Sequence, residues 1–96
     1  MDGSEAQARF SEAQIRFDVA AVVRKWPSLN NSRLIESAGP YMVVEGSLDE
    51  CIRAFMAKPE STRHLYEIRT APQPPFVTDT LSAEHVVELA RLREFL

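Results

Sequence analysis

The chain has 96 residues, 45% of them hydrophobic and 26% charged, with a formal net charge of −3 at pH 7. A chain of this length buries only about two-thirds of its unfolded surface and supports one core, and its apolar-to-charged balance is that of a folded domain rather than a disordered one. The mild acidity argues against electrostatic capture of nucleic acid or an anionic membrane, and no apolar run nears the roughly 20 residues of a membrane span.

Residues 1–10 carry acidic side chains where a secretory signal would be basic and then apolar. They read as a flexible N-terminal segment ahead of a single domain over 11–96, in a protein expected in the cytoplasm and without a membrane partner. Cys51 has no second cysteine to pair with, so stability must come from packing rather than from disulfides. Nine arginines against two lysines suggest GC-rich bacterial coding.

Taken in chain order, Ser11 with Gln14 forms the first capping pattern, and Phe10 is placed to staple on Ile15. Ile15, Val19, Val22, Val23 and Trp26 then share a helical face that Pro27 ends. The same stretch also alternates with period two, so residues 13–23 fit a strand as well; the capping signals favour a helix. Residues 32–36 read as a strand paired with 41–45 through Ser37-Ala38-Gly39-Pro40, or, alternatively, 31–38 as a short helix closed by Gly39.

Residues 41–45 are β-branched and bounded by Pro40 and Gly46. Ser47-Leu48-Asp49-Glu50 is a capping box that opens a helix with Leu48, Cys51, Ile52, Phe55 and Met56 on one face, ended by Lys58-Pro59. Residues 64–70 read as another strand, and 41–45 with that helix and 64–70 as a parallel βαβ unit. After the polyproline-like connector Ala71-Pro72-Gln73-Pro74-Pro75, Ser82 caps a last helix with Leu81 as its staple and Val86, Leu89, Leu92 and Leu96 as its stripe.

The expected architecture is therefore an α/β (α+β) two-layer domain, three helices on a short two- or three-stranded sheet in the order α-β-β-α-β-α. Its expected core is Val19, Val22, Val23, Trp26, Val44, Ile52, Phe55, Tyr66, Ile68, Val86, Leu89 and Leu92.

Groups that carry chemistry are sparse. Cys51 shares the phase of Leu48, Ile52 and Phe55 and reads as a buried structural thiol. His64 and His85 are the two imidazoles, no serine stands in a nucleophile-elbow pattern, and Ser11, Ser47 and Ser82 are explained as caps. A small enzyme using Cys51, His64 and His85, with Asp79 near them, is the least favoured function. His85 with Glu84 and Glu88 offers too few ligands for a zinc site, so no metal and no cofactor are implied. The step Glu45-Gly46-Ser47 lacks the companion glycines and lysine of a phosphate loop.

Arg63-His64-Leu65-Tyr66-Glu67-Ile68-Arg69 interleaves arginines with an aromatic, the composition of base-stacking sheets. Alternation sets Arg63 and Arg69 on the face opposite Tyr66, so nucleic-acid binding through these arginines is the alternative function rather than the preferred one. The stretch from Gly39-Pro40-Tyr41 through Leu48-Asp49-Glu50-Cys51 to His64-Leu65-Tyr66-Glu67 resembles small bacterial proteins of unknown function. That resemblance implies no activity and no site residues.

The preferred function is a non-catalytic protein-interaction module, as a homodimer or with an unidentified protein partner. Alternation points Met42, Val44, Tyr66 and Ile68 to one face of the sheet and Tyr41, Val43 and Leu65 to the other, more apolar surface than short helices cover. Phe17 and Phe95, off the core stripes, would extend such a patch. The candidate binding residues are Phe17, Tyr41, Val43, Leu65, Arg63, Arg69 and Phe95.

Overall fold

The computed structural model of the protein describes residues 15–34, 39–73, 76 and 78–95. Within them the elements are β1 (Ala20–Lys25), β2 (Ser28–Leu29), β3 (Ser32–Arg33), β4 (Tyr41–Ser47), α1 (Leu48–Met56), a 3-10 turn (Glu60–Leu65), β5 (Tyr66–Thr70), β6 (Thr80–Leu81) and α2 (Ala83–Arg93). The main sheet has the order β4-β1-β5-β6 with every neighbouring pair antiparallel. The architecture is thus mixed α and β, as expected, but with four strands in the sheet and a described order that starts on a strand.

The segment expected as a first helix supplies β1, one of the two interior strands. Residues 20–25 follow the period-two alternative: Ala21 and Val23 are buried and Val22 half-buried. Two long partners, β4 and β5, give this stretch hydrogen bonds on both edges, a gain that a lone helical turn could not match. The signals that favoured a helix, Phe10, Ser11 and Gln14, lie outside the described residues.

β4 and β5 both run antiparallel to β1, so they run parallel to each other with β1 between them. The expected βαβ unit is therefore a split one, joined by α1. Ser32 and Arg33 pair with Leu29 and Ser28 rather than with residues 41–45. Asn30 and Asn31 carry positive φ of 53° and 63°, the primed two-residue turn that matches strand twist and that asparagine tolerates. The proposed turn residues Ser37 and Ala38, together with Glu36, lie outside the described residues, as do residues 1–10, Pro74, Pro75 and Leu96.

α1 and α2 form where the caps predicted them. The Ser47 hydroxyl accepts from the Glu50 N–H at 3.1 Å while the Glu50 carboxylate accepts from the Ser47 N–H at 2.8 Å. A side chain at Gly46 would run into that returning carboxylate, which explains the glycine. Ser82 accepts from the His85 N–H at 3.3 Å, and Leu81 and Val86 are fully buried in the same cluster. Both helices cover one face of the sheet, packing Leu48, Cys51, Ile52, Phe55, Val86 and Leu89 on Ala21, Val23, Ile68 and Leu81. Of the expected core, Val19, Val22, Trp26, Val44, Tyr66 and Leu92 are half-buried.

One irregularity in the sheet matters for the surface. Val23 pairs with Val44 but its neighbour Arg24 pairs with Met42, so β4 carries a bulge with Val43 as the extra residue. Consecutive residues of β1 face opposite ways, so Met42 and Val44 do too. Met42 therefore lies with Arg24 and Glu67 on the face away from the helices, whereas Tyr41 aligns with Lys25 and Tyr66 on the helix side. This reverses the sides expected for Met42 and Tyr41.

Candidate functional site: the outer edge of strand β4

The large apolar side chains left in solvent are concentrated. Leu29, Leu34, Tyr41, Met42, Val43 and Phe95 are the exposed large hydrophobics among the described residues, and all but Phe95 fall between 29 and 43. Tyr41, Met42 and Val43 are 49%, 57% and 39% exposed and consecutive. Leu29 and Leu34 lie at the same end of the sheet as Tyr41, since Leu34 donates to the Pro27 carbonyl at 2.8 Å and Tyr41 pairs with Lys25.

β4 is also an edge: among the described residues, no strand pairs with its outer side. The hydrogen-bond pattern shows which of its main-chain groups face outward. Ala71 donates to the Ala20 carbonyl at 3.0 Å and Trp26 to the Leu65 carbonyl at 2.8 Å, so Ala20, Val22, Arg24 and Trp26 turn their main-chain groups towards β5. Ala21, Val23 and Lys25 then turn theirs towards β4, consistent with Leu48 donating to the Val19 carbonyl at 2.8 Å. Their partners Gly46, Val44 and Tyr41 point inward. That leaves the N–H and C=O of Met42 and Glu45 on the outer edge, three residues apart because of the bulge.

The opposite edge of the sheet is β6, only two residues long and followed directly by α2, a form that resists pairing with another chain. β4 has seven residues, three exposed apolar side chains and a single carboxylate, Glu45, facing solvent. On the face away from the helices, Glu45, Val22, Arg69 and Ala20 border an open groove of ≈ 450 Å³. Its charges are largely matched, because Arg69 pairs with Asp79 at 3.5 Å. Beside it, Glu67 is buried and accepts from Arg24 and, at 3.2 Å, from the Trp26 indole N–H.

The other candidate residues fall elsewhere. Phe17 is half-buried against the core with the Arg93 guanidinium 5.5 Å from its ring, so it is a packing residue and not part of an open patch. Leu65 is buried in the 3-10 turn rather than exposed on a strand, because β5 begins one residue later. Arg63 sits in the same turn and donates to the carbonyls of Met56 at 2.9 Å and Lys58 at 3.3 Å, closing the end of α1. Arg63 and Arg69 therefore do not share a sheet face. Phe95 is exposed beyond the end of α2.

The titratable trio is likewise dispersed among different contacts. Cys51 is fully buried, and burial, followed by the nearby Glu50 charge, raises its thiol pKa, opposite to the shift a nucleophile needs. The His64 ring nitrogen lies 2.6 Å from the Asn31 carbonyl, holding the β2–β3 hairpin, and His85 stacks edge-on with Phe76 at 5.4 Å. Asp79 holds Arg69. The described residues contain no group of three metal-ligating side chains and no helix long and apolar enough to cross a membrane.

What the sequence reading missed was Met42, whose side of the sheet depends on the bulge, and Glu45, whose role depends on which way its amide points. The Asn30-Asn31 pair after Leu29 was a legible turn signal for the hairpin beside them. A scan against protein-family models finds no match to the chain, and searches of curated proteins and of solved structures find none either.

Proposed function

We propose that this protein is a non-catalytic interaction module whose working surface is the outer edge of β4 with its apolar side chains. The observation that carries the reading is the coincidence of an edge strand bearing outward main-chain groups with Tyr41, Met42 and Val43, three consecutive exposed apolar residues. Such an edge supplies the two parts of strand addition: main-chain hydrogen bonds for affinity and flanking side chains for selectivity. Monomeric proteins seldom leave contiguous apolar surface without a use for it. The compartment proposed with this function is the cytoplasm, where a lone thiol such as Cys51 stays reduced.

Site-specific photocrosslinking in cells tests the reading. A photoreactive residue replacing Met42 is expected to give a discrete covalent adduct with a protein, which mass spectrometry identifies as a second copy or another chain. The same residue replacing Arg91, on the exposed side of α2, is expected to give none. Equal adducts at both positions, or none at Met42, would refute it.

A further inference from the structure

We infer that the partner of the β4 edge is the β4 edge of a second copy, paired antiparallel with Met42 opposite Glu45 of the other copy. This rests on the interaction reading above and names the partner for it. The bulge is the reason. An ordinary strand presents outward main-chain groups at every second residue, whereas β4 presents them at Met42 and Glu45 with Val43 and Val44 between. A regular strand that meets one of these positions is out of step at the other.

A second β4 run antiparallel carries the same offset. Met42 then meets Glu45, Glu45 meets Met42, and the bulged Val43 and Val44 of each copy face one another across a two-fold axis. The faces agree as well. Met42 and Glu45 both lie on the side away from the helices, paired with Arg24 and Val22, so opposing residues fall on the same side of the joined sheet. Tyr41 would lie opposite Gly46, both on the helix side, so the register sets no second ring or charge against it.

Charge follows the same register. The two Glu45 carboxylates are kept apart, each facing a neutral Met42, and like charges do not oppose one another. Each carboxylate also lies one strand from the other copy's Arg24. The result is an isologous interface, in which one patch serves both copies and the sheets merge into a single eight-stranded sheet.

Light scattering after size-exclusion chromatography, on the whole chain, tests this with three variants. Wild type is expected to be a dimer at about 0.1 mM, well above the Kd of many specific complexes. Glu45→Pro removes an outward N–H that β1 does not use, at an edge position where proline is tolerated, and is expected to give a folded monomer. Met42→Glu places like charges opposite each other and is expected to raise the dimer Kd at least about tenfold, whereas Met42→Lys, facing Glu45, is expected to keep or lower it. Circular dichroism on each variant confirms the fold, and the Met42 pair decides the matter if Glu45→Pro does not fold.

A monomeric wild type at that concentration overturns the self-pairing but leaves the photocrosslinking test of the interaction surface standing. A dimer that persists in folded Glu45→Pro, or that responds alike to Met42→Glu and Met42→Lys, overturns the register. A dimer unaffected by all three variants, with no adduct at Met42, overturns the interaction surface too.

Discussion

The side chain of Gln73 pairs with the backbone of Arg16 as one peptide unit pairs with another, its amide oxygen accepting from the Arg16 N–H at 2.8 Å and its amide nitrogen donating to the Arg16 carbonyl at 3.0 Å. Gln73 is buried, so it anchors the segment that enters β1 to the connector that leaves β5. Gln73→Ala is expected to lower stability by about 2 kcal/mol through two lost hydrogen bonds. Gln73→Glu should destabilise at least as much at neutral pH, because a carboxylate cannot donate to the Arg16 carbonyl. Urea denaturation of the three proteins checks the order; a stable Gln73→Glu variant would contradict it.

Glu67 is the buried carboxylate of the open face, held by Arg24 and by the Trp26 indole. Among the described residues Arg24 bonds to no other acceptor, and its Nε is buried without a partner. Glu67→Ala therefore leaves a largely buried cation unpaired and is expected to cost about 3 kcal/mol, while Arg24→Met combined with Glu67→Leu restores most of the loss. Trp26 fluorescence during denaturation reads both. If the double variant is less stable than Glu67→Ala, the ion pair is a net source of stability rather than a matched desolvation.

Legibility followed the range of the interactions. α1 and α2 were readable because their caps lie within three residues: Ser47 with Glu50, and Ser82 with the His85 amide. β1 was not, since the apolar spacing of Ile15, Val19, Val22 and Val23 suits both periods and only the distant partners β4 and β5 decide between them. β6, two residues long, has no pattern of its own and exists because Ile68 and Arg69 offer an edge. The bulge at Val43 depends on how β4 meets β1, so alternation alone assigned Met42 to the wrong face. Of the candidate surface, Tyr41 and Val43 were within reach of the sequence; the outward amides were not.

Cys51 gives a prediction with a defined sign. Burial, and secondarily Glu50, raises its folded-state pKa, so the folded thiol stays protonated at pH values where the unfolded thiol ionises. The unfolded state then binds fewer protons than the folded one, and stability falls as pH rises above about 8.5, the ordinary thiol pKa. The drop in denaturation midpoint between neutral and alkaline pH is expected to be larger in wild type than in Cys51→Ala, which lacks the group. Alkylation of Cys51 should also be slow in the folded protein and fast in denaturant. Equal pH dependence in the two proteins, with rapid native alkylation, would contradict the burial.

The most direct measurement is amide hydrogen exchange at Met42 and Glu45, resolved by NMR, as the protein is concentrated from about 1 μM to about 0.1 mM, a range that spans common specific affinities. The N–H groups of Val44 and Gly46 bond to β1 and should be protected throughout. Those of Met42 and Glu45 face outward, and protection at these two positions is expected to rise with concentration as two β4 edges join. Fast exchange at both across the whole range would contradict the account.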